Sequence, residues 1–133
     1  MCCLNQSHEN IEIIIVDGMS NNKTNKIITK LQKNNKNITI KHVKEYPVNN
    51  DYDHIILTTD ADCRLTEDWI TSMVSPFTEK DIQLVSGPVA YHGLDNDFKK
   101  VQALEFMSLI GSGAGAIGIQ KAFMCNGANM AFR

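Results

Sequence analysis

Ile11-Glu12-Ile13-Ile14-Ile15-Val16 is the stretch on which the fold turns. It is apolar and β-branched at nearly every position, without polar alternation. That pattern suits a parallel strand covered on both faces. The run stops at Asp17-Gly18 and then Ser20-Asn21-Asn22, a cluster of turn residues. Ile27, Ile28 and Leu31 follow at helical spacing, with Lys23, Lys26, Lys30 and Lys33 elsewhere on the surface. Asn34 to Asn37 close this amphipathic helix.

Outward from that unit the pattern repeats. Ile38-Thr39-Ile40-Lys41-His42-Val43 reads as a second strand, and Tyr46 to Asp53 as a polar loop. His54-Ile55-Ile56-Leu57-Thr58-Thr59 reads as a third, buried strand that runs straight into Asp60-Ala61-Asp62-Cys63. A helix is predicted from Glu67 to Ser75, with Thr66 as N-cap, Trp69, Ile70 and Met73 facing inward, and Pro76 as its stop. Ile82 to Val89 reads as a fourth strand, Asn96 to Ile110 as a helix, Gly111 to Gly118 as a flexible stretch, and Cys125 to Phe132 as a last strand. No internal repeat is visible. Strands alternating with helices predict an α/β fold, an open, mostly parallel sheet with flanking helices, over residues 1–133 as one domain. Ligands of such sheets bind outside the carboxyl ends of the strands. Asp17 and Asp60 both fall at such an end.

Composition narrows the function. Apolar residues make up 43% of the 133, enough for a core, and the net charge is −2. Nucleic-acid binding by bulk electrostatics is therefore not expected. An anionic ligand would be held locally, by a metal or by backbone amides. Cys2, Cys3, Cys63 and Cys125 form no C-x-x-C pair and have no histidine at zinc-ligand spacing, so they read as reduced thiols of a cytoplasmic protein. No signal peptide and no membrane-length apolar run is seen, and the chain is expected to be soluble.

Thr59-Asp60-Ala61-Asp62 carries the chemistry. In extended backbone, residues two apart point to one side, so Asp60 and Asp62 would aim two carboxylates at one point. Two such groups repel, and a divalent cation removes the conflict. Oxygen ligation suits Mg²⁺ or Mn²⁺. Two carboxylates do not fill an octahedron, and the open positions suit water and phosphate oxygens. The alternative is that Asp-x-Asp is an ordinary turn or helix start, a common chance match.

Taken as a set, the segments resemble the family 2 glycosyltransferases. Glu12 to Ser20 resembles the family's E-I-I-V-V-D-D-G-S segment, and Ile56 to Cys63 its D-x-D strand. Ser86-Gly87-Pro88-Val89 and Cys125 to Arg133 resemble its later strands, in the same order and spacing. The resemblance implies a GT-A type fold and a metal-dependent, inverting transfer from a nucleoside-diphosphate sugar, of the kind that builds cell-envelope polysaccharide. Asp17 would contact the base, typically uracil. Asp60 would lie near the donor ribose and the metal. Asp62 would ligate the metal, Mn²⁺ or Mg²⁺, that bridges the diphosphate. Gly127 and Asn129 would lie on a strand beside the donor pocket, against the alternative of a tight backbone approach and a satisfied amide. The partners implied are a UDP-sugar and a glycan or lipid-linked acceptor, with membrane association only in a longer protein.

The sequence departs from that pattern. Gly18 and Met19 stand where the family has Asp and Gly, which weakens base recognition. The family's first strand would precede Ile11, and its general-base carboxylate would lie beyond Arg133. The chain alone is thus expected to be a donor-binding part without turnover. A binding remnant and a sugar nucleotidyltransferase remain the alternatives. Asp97 and Glu105 are weak substitutes for the base. Gly111-Ser112-Gly113-Ala114-Gly115 lacks the ending of a phosphate loop and reads as a connector or a mobile acceptor-side loop. His8, His42, His54 and His92 have no partner at convincing spacing. Trp69 reads as core, or as a platform for an acceptor sugar.

Overall fold

A computed structural model describes residues 2–17, 22–36, 38–43 and 54–133. The predicted turn at Gly18, Met19, Ser20 and Asn21 and the predicted loop from Tyr46 to Asp53 lie outside the described residues. The chain divides into two units, Met1–Tyr52 with Leu65–Trp69, and Asp53–Arg64 with Ile70–Arg133.

In the first unit, strand β1 (Glu12–Val16) pairs in parallel with β2 (Thr39–Val43), and helix α1 (Asn22–Asn34) lies between them in sequence. The register runs from Glu12 opposite Thr39 to Val16 opposite Val43. Parallel neighbours need a crossover, and the lysine-faced helix supplies it. Ile28 of α1 and Ile40 of β2 are buried, whereas Ile27 is exposed. The helix is tied to the sheet by the Gln32 side chain, which donates to the Ile40 carbonyl at 3.0 Å, and Asn35 closes it by donating to the Leu31 carbonyl. The segment from Leu65 is stitched to the N-terminal turn: Gln6 donates to the Thr66 carbonyl at 2.7 Å and the Ser7 amide to the Glu67 carbonyl at 2.9 Å. Trp69 is buried, as a core residue.

The second unit holds a three-stranded sheet in the order β3 (Ile56–Thr58), β5 (Met130–Phe132), β4 (Leu84–Ser86). Leu57 and Val85 flank Ala131, which is wholly inaccessible to solvent. Helix α2 (Trp69–Val74) is shorter at both ends than the predicted Glu67 to Ser75, and Pro76 sits in the first turn of the 3-10 helix Ser75–Thr78 that follows. Ile70, Met73 and Phe77 are buried. Arg133 closes the unit beside β5. Its guanidinium donates to the carbonyls of Glu79 and Ile82 and stacks 5.2 Å from the Phe77 ring centre.

Mixed α/β character therefore holds, and the single open, mostly parallel sheet does not describe these residues. Two small sheets are present, and β5 runs antiparallel to both its neighbours. Two predicted strands are shorter for local reasons. Past Ser86 the ladder gains one more bond, Gly87 amide to Asn129 carbonyl, and then meets Pro88, which has no N–H to give. Before β5, the Asn126 side chain accepts from the Ala128 amide, folding Gly127–Asn129 into a 3-10 turn.

The largest departure is helix α3 (Asp97–Gly118), which runs through the glycines predicted to be flexible. Its start follows the sequence: Asn96 caps it by accepting from the Lys99 amide at 2.9 Å. Its continuation is tertiary. Ala103 and Gly113 are buried, Tyr91 packs its ring 4.9 Å from that of Phe106, and Gly113 lies against Met124. Glycine costs helix stability, and those contacts outweigh it. Phe98, Val101, Leu104, Met107 and Leu109 remain exposed on α3. No helix among the described residues is long and apolar enough to cross a membrane.

Candidate functional site

Chain direction after β3 is set by a hydrogen bond from the Cys63 amide to the Asp60 carbonyl at 3.1 Å. That bond closes Asp60-Ala61-Asp62-Cys63 into a turn, where the sequence pattern had suggested a continuing strand. The pleat therefore does not bring Asp60 and Asp62 together; the turn does. Their carboxylates and the Cys63 sulfur lie within 4.8 Å of one another, with both aspartates exposed and the cysteine half-buried. The sulfur is an addition that spacing alone did not reveal, because Cys63 was read only as a reduced thiol.

The turn has a polar approach. Thr59, one residue before Asp60, has a buried hydroxyl with no hydrogen-bond partner among the described residues. An unmet buried hydroxyl costs about 1–3 kcal/mol, so its presence beside an acidic turn is informative. Arg64 follows on the other side, its Nη1 3.2 Å from His92 Nε2. Arginine only donates, so His92 Nε2 is the acceptor and the ring proton of the neutral form sits on Nδ1. Neither residue was singled out by spacing.

Gly127 and Asn129 are brought near the same end of β3, in the 3-10 turn before β5 and not on a strand. Thr58 Oγ1 donates to the Gly127 carbonyl at 2.6 Å. Asn129 is buried, and its amide donates to the Pro88 carbonyl at 2.9 Å. A Cβ on Gly87 would collide with that amide. Asn129 thus packs against Gly87 and ties its amide to the Pro88 carbonyl.

Asp17, in the first unit, sits one residue past β1. Its amide donates to the Val43 carbonyl at 2.9 Å, extending the ladder by one step. Its side chain is only 11% exposed, and Oδ2 lies 3.1 Å from His42 Nε2. A carboxylate only accepts, so the imidazole donates from Nε2. His42 was set aside in the sequence for want of a partner. The partner becomes visible once Ile15 is placed opposite His42.

Residues 2–46 match the model of the family described as Glycosyl transferase family 2. The match covers β1, α1 and β2 with Asp17 and His42, and stops short of Asp60 to Cys63. No curated protein and no solved structure matches the chain. Over those residues, about a third of the chain, the sequence is similar to that glycosyltransferase family.

Proposed function

We propose that this chain binds the donor of a glycosyltransferase reaction, a nucleoside-diphosphate sugar with UDP-sugar favoured, for inverting transfer to a hydroxyl of a glycan or lipid-linked acceptor. Asp17 receives the base. Asp60 and Asp62 hold a divalent cation, Mn²⁺ or Mg²⁺, at the diphosphate. The observation that carries this is the convergence of the Asp60 and Asp62 carboxylates with Cys63 within 4.8 Å in the turn after β3. The family match over residues 2–46 supports the nucleotide-sugar class. A GT-A type fold is the architecture that this function implies.

The donor set fits such a cation. Two hard oxygens suit Mg²⁺ or Mn²⁺, and a neighbouring sulfur favours Mn²⁺ of the two. Thr59, whose buried hydroxyl has no partner among the described residues, directly precedes the acidic turn. A bound divalent cation would offset the charge that builds on the departing nucleoside diphosphate. Around it, Arg64 supplies a positive charge two residues from Asp62, and the bond from Thr58 to Gly127 holds the neighbouring turn against the end of β3. Gly127 and Asn129 then shape the rim of the donor pocket through backbone position. No residue is assigned as the general base. Asp97 is paired with Lys100 at 2.9 Å, and Glu105 is exposed on α3.

Calorimetric titration with UDP and GDP, with and without Mn²⁺, tests this on the native chain and on Asp62→Ala. Binding should need the metal and favour UDP, and the substitution should abolish it. Equal binding by both proteins would defeat the metal assignment.

A further inference from the structure

We propose that His42 is the positioning residue for the base-binding carboxylate, a role that rests on the assignment of Asp17 to the nucleotide base. The parallel register creates the pair. Val16 stands opposite Val43, Ile15 opposite His42 and Ile13 opposite Ile40. Side chains alternate along a strand, so Ile13, Ile15 and Asp17 share a face with Ile40 and His42. That face is apolar toward the start of the strands, where Ile40 is buried, and turns polar only at its last two positions. Lys41 and Glu12 lie on the opposite face by the same alternation and pair with each other at 2.8 Å. His42 is therefore the ionisable side chain that β2 directs to Asp17.

Two features fit a positioning role. The Asp17 side chain is 11% exposed and that of His42 is 28% exposed, so the carboxylate is the more recessed of the two. The backbone at Asp17 is fixed as well, through its amide bond to the Val43 carbonyl. With backbone and Oδ2 both held, the carboxylate keeps one orientation. Each carboxylate oxygen has two lone pairs, so an oxygen bonded to His42 still accepts from a second donor. A fixed acceptor favours a base that offers an N–H on its pairing edge, such as the imide of uracil, over one that offers a bare ring nitrogen.

The test compares UDP with inorganic pyrophosphate, both with Mn²⁺, because pyrophosphate has no base. Wild type, Asp17→Ala, His42→Phe and His42→Gln are titrated, with thermal unfolding as the check on folding. Glutamine places an amide donor close to the position of Nε2 and should act as the conservative rescue. Asp17→Ala and His42→Phe should each lower the ratio of UDP to pyrophosphate affinity about tenfold, the worth of one hydrogen bond to a charged group. His42→Gln should keep the ratio within about twofold of wild type. If His42→Phe does not fold, His42→Asn, whose shorter amide cannot reach Oδ2, replaces it. A ratio lowered in Asp17→Ala and unchanged in the His42 loss variant overturns the positioning role and leaves the base assignment standing. A ratio unchanged in Asp17→Ala, or a wild type that binds no UDP, defeats the base assignment and the role of His42 with it. Equal losses for both ligands, or a glutamine variant as poor as phenylalanine, would show that His42 only supports the fold.

Discussion

Adding one methyl group at Gly87 tests how β4 and β5 are locked together. A Cβ there would overlap the Asn129 amide nitrogen and lie 2.6 Å from Cγ and 2.8 Å from Oδ1 of the same side chain. Asn129 has little room to yield. It is 9% exposed, its Nδ2 donates to the Pro88 carbonyl, and its own carbonyl accepts from the Gly87 amide. Either the end of β4 shifts, an overpacking cost of about 1–3 kcal/mol, or the amide rotates. Rotation breaks its bond and leaves a buried polar group unmet, at about 1–3 kcal/mol. These are two routes to relieving one clash and only partly add, so we take about 3 kcal/mol for Gly87→Ala. For a chain of this size that is a fall of roughly 10 °C in Tm. Urea unfolding of wild type, Gly87→Ala, Asn129→Ala and the double variant measures it. Asn129→Ala should also destabilise, but it makes room for the methyl. The double variant should then be more stable than the sum of the singles by about 1–2 kcal/mol. A Gly87→Ala loss under about 0.5 kcal/mol, the level of an unconstrained surface substitution, or strict additivity would refute the lock.

The glycines of α3 should separate by environment. Gly115→Ala and Gly111→Ala meet nothing within 4 Å and should each stabilise by about 0.4–1 kcal/mol. Gly113→Ala would place its Cβ 3.3 Å from the Met124 carbonyl and should gain nothing or lose stability; equal gains at all three sites in urea unfolding would show that α3 does not pack there. Asn96→Ala removes the cap on the Lys99 amide and should cost about 1 kcal/mol, with Asn96→Asp nearly neutral. No loss on Asn96→Ala in the same assay would place the helix start elsewhere.

How much of this could be read in the sequence depended on whether the signal was local. β1, α1 and β2 were legible because β-branched runs and a lysine-faced helix each declare themselves within a few residues. The N-terminus of α3 was legible for the same reason: Asn96 caps on its own side chain. The C-terminal half of α3 was not, since propensity at Gly111, Gly113, Gly115 and Gly118 points away from helix while Gly113 is buried against Met124. β5 was located but drawn too long, because the turn made by Asn126 competes with the ladder. The closeness of Asp60 and Asp62 was expected for a mistaken reason. Strand alternation was expected to align Asp60 with Asp62, and a turn closed by the Cys63 amide aligns them and adds a sulfur. His42 was missed because its partner lies far off in sequence, just past β1, and only the register between Ile15 and His42 reveals it.

The central claim, that Asp60 and Asp62 hold a cation which takes a diphosphate, is tested most directly by the electron paramagnetic resonance signal of Mn²⁺. The six-line spectrum of the free ion should lose intensity as native chain is added, and lose more when UDP is present. Asp60→Ala/Asp62→Ala should leave the spectrum that of free Mn²⁺ and UDP alone. A native chain that leaves the signal untouched, or a double variant that quenches it equally, would contradict the account.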